Sequence, residues 1–221
     1  MTDAASPAST RRPTQGGGED PRARTRLADD LRRRPRSAGE FAADALRVLG
    51  ALGVIAAALW LTTTAAGVLA FTLPGMLLPR LVGARPAFDL AFCATLLVAA
   101  WSNVLEIYAA VAWWDLVVHF ACTGVIAAAL VLLLARLGLV ASPAAGRSTT
   151  ARPSTAGLVA VTAAVGLAAS ALWEMVEWVG HAVIGDEIFV SYDDTIADLA
   201  LGGLGAIAAG FAVALLRLSR E

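Results

Sequence analysis

Six apolar runs, at about residues 44–63, 67–83, 88–110, 114–135, 156–183 and 197–216, dominate the chain. At about 1.5 Å of rise per residue, about 20 apolar residues in a helix cross the hydrocarbon of a bilayer. Lipid offers no partners to backbone N–H and C=O groups, so runs of this length are satisfied as α-helices and not as open sheet. The expected fold is therefore all-α, a polytopic membrane bundle. Of the 221 residues, 58% are apolar, above the roughly half-apolar usage of soluble domains, and this excludes an ordinary soluble protein.

Charge sets the number of crossings. The run at 67–83 is short and is interrupted by Pro74-Gly75. If residues 44–83 held one crossing and a surface loop, five crossings would leave Arg80, Arg85, Arg136, Arg147, Arg152, Arg217 and Arg220 on the outside. With six crossings and an inside N-terminus all seven fall on the cytoplasmic side, as the positive-inside bias requires. Six transmembrane helices with both termini cytoplasmic is the reading adopted, with a re-entrant hairpin at 67–83 as its alternative. Proline is tolerated in a membrane helix where neighbours satisfy the freed carbonyl.

Residues 1–42 carry nine of the seventeen arginines among Ser, Pro and Gly, with no apolar period. A segment of that composition buries too little surface to offset its ordering entropy. It is expected to be a disordered cytoplasmic tail near anionic lipid, ahead of a transmembrane domain at 43–217. Arg11-Arg12 is too far from the first apolar run, and that run too long, for a twin-arginine export signal. All basic residues are Arg and none is Lys, a codon bias that points to a GC-rich bacterium and hence to the bacterial inner membrane. Lipid is the expected partner, and an arginine tail alone gives no ground for nucleic-acid binding.

The acids and histidines sort to the other side of the bilayer. Glu106, Asp115, His119, Glu174, Glu177, His181, Asp194 and Asp198 all lie toward the outer leaflet in this topology. The connection at 185–196 adds Asp186, Glu187 and Asp193. Residues three, four and seven apart share a helix face. Asp115 and His119 thus form one stripe, Glu174, Glu177 and His181 a second, and Asp194 and Asp198 a third. Ionised groups facing hydrocarbon are expensive, so the three stripes are expected to turn inward and meet.

Clustered carboxylates without Arg or Lys repel unless some hold protons or a cation sits among them. Carboxylates with imidazole suit a divalent metal such as zinc, manganese or iron. The spacing Glu-x-x-Glu-x-x-x-His is related to, but differs from, the Glu-x-x-His of di-metal bundles. Asp115, His119, Glu174, His181, Asp194 and Asp198 are the candidate ligands, and Glu177 the candidate catalytic base. The alternatives are protonated acids that lock the bundle and a water-filled ion path. Trp113, Trp114 and Trp178 are expected in the interfacial aromatic belt, as are Tyr108 and Tyr192. Gly202, Ala206 and Gly210 would admit a neighbouring backbone. Cys93 and Cys122 are small apolar fillers. No nucleophile elbow, phosphate-cradling loop, His-Glu-x-x-His or zinc-type Cys pair is present.

The segments WDLVVHFACTG (114–124), ALWEMVEW (171–178) and DTIADLALGGLGA (194–206) resemble, in order and spacing, the signature of a family of uncharacterised bacterial inner-membrane proteins that includes YjdF. The resemblance covers roughly residues 88–216 and implies that Asp115, His119, Glu174, Glu177, Asp194 and Asp198 are signature positions. Gly124 falls one residue later than the family glycine, and His181, Glu106 and the long arginine tail lie outside the pattern. The family brings no established activity. Three functions are therefore carried forward: a metal-dependent hydrolase of a lipid-borne phosphate or ester, an ion or solute transporter, and a non-catalytic scaffold with protonated acid pairs.

Overall fold

A computed structural model describes residues 29–143, 153–185, 188 and 190–220. Among the described residues, six helices are long and apolar enough to cross a membrane: α1 (Ala38–Trp60), α2 (Thr63–Leu81), α3 (Pro86–Val104), α4 (Trp114–Arg136), α5 (Thr155–Ile184) and α6 (Tyr192–Leu215). Their starts are chemically marked. Ser37, Thr62, Ser154 and Ser191 each accept a backbone N–H from the first turn through the side chain, which satisfies donors that lack an intrahelical partner. Pro86 opens α3, where its missing N–H costs nothing.

Six crossings, the all-α class and the membrane character agree with the expectation. The doubtful second run is a helix in two pieces, Thr63–Gly75 and Leu78–Leu81, broken just after Pro74. At the break Leu77 N–H turns back to Pro74 O, 3.2 Å away, and Arg80 N–H donates to Leu77 O. The freed Met76 carbonyl is taken by Arg47 Nε of α1 at 2.9 Å. The two pieces together reach 19 residues at a mean hydropathy of 1.3, enough for a crossing.

The helices form two groups. α1, α2 and α3 pack against one another, α4, α5 and α6 against one another, and α3 joins the groups through α4. The two-residue link Leu61-Thr62 is short enough to make α1 and α2 antiparallel neighbours.

One end of the bundle is an arginine network, and it corrects the expected tail boundary. Residues 29–42 were expected to be disordered, yet α1 already begins at Ala38 and Glu40 is buried. Glu40 pairs with Arg33 at 2.9 Å and with Arg220, and it accepts the Arg36 N–H at 2.5 Å. Arg136 Nη2 lies 2.7 Å from Asp30, and its Nη1 donates to Leu81 O. Arg80 pairs with Asp44. The C-terminal residues join the same end: Ala84 and Ser219 form an antiparallel bridge, flanked by Arg85 N–H to Leu218 O at 2.8 Å and Arg220 N–H to Gly83 O at 3.0 Å. The described unit therefore starts before residue 43 and ends beyond 217, because ion pairs hold segments whose composition gave no apolar signal. The tail at 1–28, Arg147, Arg152, Asp186 and Glu187 lie outside the described residues.

Candidate functional site

At the opposite end the three polar stripes meet, and small residues make the meeting possible. A Cβ on Gly205 of α6 would stand 2.0 Å from the Phe120 carbonyl of α4, and one on Gly124 would stand 3.0 Å from Gly205 O. α4 and α6 thus touch backbone to backbone, the approach that small residues allow in membrane bundles. A Cβ on Gly166 of α5 would fall 2.3 Å from Ala206 Cβ, and one on Gly210 would fall 2.7 Å from Val159 Cα. The small-residue repeat of α6 has the packing role expected of Gly202, Ala206 and Gly210.

His119 is the centre of the cluster. Its Nε2 lies 3.5 Å from Asp115 Oδ1 and 3.8 Å from Asp198 Oδ2, and its Nδ1 lies 3.8 Å from Glu174 Oε1. Glu177 completes a second group in which ligand atoms of His119, Glu174 and Glu177 lie within 4.8 Å of one another, as those of Asp115, His119 and Asp198 do. His119, Glu174 and Asp198 are buried, with 8%, 9% and 2% of their surface exposed. Asp115, Glu177 and Asp194 are half-buried. Among the described residues, the ion pairs of Asp115, Glu174 and Asp198 are with His119.

These separations are informative. An N–H···O hydrogen bond spans about 2.7–3.2 Å, so the imidazole is in direct hydrogen-bond contact with none of the three carboxylates. Two ligand atoms about 2.1 Å from one tetrahedral metal stand about 3.4 Å apart, close to what Nε2 shows with Asp115 and Asp198. Asp198 Oδ1, Glu174 Oε1 and Ser170 Oγ are buried without a hydrogen-bond partner. Such groups cost about 1–3 kcal/mol each when left alone. The donor set therefore fits a divalent cation in ligand type, in charge and in spacing.

Two of the expected ligands stand apart from these groups. His181 Nδ1 donates to the Ile188 carbonyl at 2.6 Å, which ties the end of α5 to the following connection. Asp194 lies in the first turn of α6 beneath the Ser191 cap, four residues before Asp198 and so on the same helix face. Glu106 is exposed and adopts a left-handed backbone, φ 56°, between α3 and the short turn Ile107–Ala110.

The aromatic residues divide. Trp113, Trp178 and Tyr192 are exposed. Trp114, expected in the belt, turns inward instead: its Nε1–H donates to Ser102 Oγ at 2.8 Å, and that hydroxyl donates on to Val98 O at 2.7 Å. Tyr108 donates its hydroxyl to Ala99 O at 3.0 Å, and burial pushes its phenol pKa up, so it is a structural donor. Ser170 and Thr123 were missed from the sequence. Their signal was spacing, since Ser170 precedes Glu174 by four residues and Thr123 follows His119 by four.

Residues 44–220 match the model of a family described as a predicted membrane protein, DUF2238. The chain belongs to this family. The match spans all three polar stripes, so the clustered acids and His119 lie within the region that the family model describes. No curated protein and no solved structure matches the chain.

Proposed function

We propose that the protein is a metal-dependent membrane hydrolase whose centre is held by His119 Nε2, Asp115 and Asp198, with a lipid-borne phosphate or ester as substrate. The spacing of Nε2 from the two aspartates, too long for hydrogen bonds and close to that of ligands on a shared metal, is the observation that carries this reading. Glu174, 3.8 Å away on the Nδ1 side, adds negative charge that favours a cation at the centre. A divalent metal supplies a Lewis acid and, near neutral pH, a hydroxide source. Glu177, half-buried beside His119 and Glu174, is the candidate base. Asp194 adds negative charge that favours the cation. Zinc, manganese and iron all suit the ligand set. In this reading both termini are cytoplasmic, the membrane is the bacterial inner membrane, the family is the one that includes YjdF, and the centre lies near the outer leaflet.

Close packing below the site supports hydrolysis over transport. About two turns deeper than His119, a Cβ on Gly166 would meet Ala206 and Ala127 within 3.0 Å. A scaffold held by acid–imidazole hydrogen bonds would bring the carboxyl groups within hydrogen-bond distance of His119, and the separations of 3.5 and 3.8 Å exceed that distance.

Elemental analysis of detergent-purified protein tests the reading. Stoichiometric transition metal in the wild type and its loss in His119→Ala are expected, together with metal-dependent release of headgroup or acyl product from lipid. Metal-free protein of full stability would remove the proposal. Proteoliposome flux abolished by Glu174→Gln would replace it with transport.

A further inference from the structure

One turn deeper than His119, the three helices bring together a second layer of oxygen atoms. Thr123 lies four residues after His119 on α4, Ser170 four residues before Glu174 on α5, and Gly202 four residues after Asp198 on α6, so each faces the same way as its partner above. The two hydroxyls converge over Gly202. A Cβ there would stand 2.8 Å from Thr123 Oγ1 and 2.9 Å from Ser170 Oγ, so the absence of a side chain at 202 preserves the space between them. Ser170 is 4% exposed and its Oγ has no partner. It is not alone: Glu174 Oε1 on α5 and Asp198 Oδ1 on α6 are buried and equally unpartnered. Below this layer Gly166, Ala127 and Ala206 close the bundle.

We infer that Ser170, Thr123, Glu174 and Asp198 form a deep subsite for a hard cation bound through oxygen alone. Hydroxyl and carboxylate oxygens without nitrogen or sulfur are the ligands that magnesium, calcium and sodium take, and they suit zinc less well. Ser170 Oγ, Glu174 Oε1 and Asp198 Oδ1 have no hydrogen-bond partner, two of them belong to carboxylates, and a cation satisfies all three while offsetting their charge. The carboxylates are shared with the centre at His119, so this inference deepens the proposed function and rests on it only for that sharing. Removal of the imidazole leaves every ligand of the deep subsite in place.

The test is the unfolding midpoint of full-length protein in detergent, titrated with MgCl2, CaCl2 or NaCl against choline chloride at matched ionic strength. Transition metals are removed with a chelator that spares magnesium, calcium and sodium. A saturable rise with one of these cations is expected in the wild type and in His119→Ala. The same cation should bind about tenfold or more weakly in Ser170→Ala and Thr123→Val, both close to isosteric. Gly202→Ala, which places a methyl group against both hydroxyls, should abolish the response. The cation that produces the rise identifies which of the three the subsite takes. Absence of any saturable rise in the wild type, or a rise unchanged in Ser170→Ala and Thr123→Val, would overturn the subsite and leave ordered water in its place. A response kept in His119→Ala while that variant loses transition metal separates this site from the one above it. If no preparation retains transition metal yet the hard-cation response follows Ser170, the hydrolase reading fails and the deep subsite stands.

Discussion

Arg47 on α1 and Asp89 on α3 form an ion pair whose side chains are only 12% and 7% exposed. The same guanidinium reaches Asp44 at 2.9 Å and the Met76 carbonyl freed at the break in α2. One side chain therefore joins the first three helices and satisfies the backbone where α2 departs from regularity. Removing one member of a buried pair strands its partner, which costs about 3–5 kcal/mol. Arg47→Leu should lower the unfolding midpoint in detergent sharply, and Arg47→Leu with Asp89→Leu should recover part of the loss. Equal stability of Arg47→Leu and wild type would show that the pair holds nothing together.

The contact of α4 with α6 gives a second expectation. Gly205 faces the Phe120 carbonyl so closely that a methyl group has no place to go, and backbone yields less readily than a flexible side chain. Gly205→Ala should destabilise by about 1–3 kcal/mol or more. It should also draw Asp198 away from His119, so bound metal falls along with stability. Gly67 is the control, since nothing lies within 4 Å of its Cβ position. There alanine gains about 1 kcal/mol of helix preference, and Gly67→Ala should be neutral or mildly stabilising. Metal retained in full by Gly205→Ala would separate this packing from the site.

Much of this architecture was legible because membrane helices announce themselves by length. The apolar runs located all six helices, and the three- and four-residue spacing of Asp115, His119, Glu174, Glu177 and Asp198 foretold their meeting. The edges were less legible. Hydropathy placed the start of the first helix near 44 and that of the last near 197, whereas Ser37 and Ser191 cap them at Ala38 and Tyr192. Asp193 reads as a loop acid, yet it sits with Asp194 in the first turn of α6, where the helix dipole favours negative charge. Arg47 escaped notice because one charge inside a long apolar run barely alters its average. Its importance depends on Asp89, forty-two residues away, and on a helix break that sequence could suggest only through Pro74.

His181 separates a metal ligand from a structural histidine. Its ring nitrogen is engaged by the Ile188 carbonyl, and it lies outside both groups gathered around His119. His181→Ala should keep the full complement of metal while losing about 0.5–1.5 kcal/mol of stability with that hydrogen bond. Limited proteolysis between α5 and α6 should quicken. Loss of metal in this variant, with the fold intact, would return His181 to the ligand set.

Glu177 offers the sharpest test of chemistry against binding. It is half-buried and close to His119 and Glu174, but it is not among the residues grouped with Asp115 and Asp198. If it takes the proton from the attacking water, Glu177→Gln preserves shape and metal and removes only basicity. Turnover of a lipid phosphate or ester should then fall by about 10²–10⁴, with KM little changed and metal content equal to wild type. Asp198→Asn should lose metal and turnover together, because the buried carboxylate holds the cation itself. If Glu177→Gln instead sheds metal as His119→Ala does, Glu177 is a ligand, and the proton must go to another of the four acids.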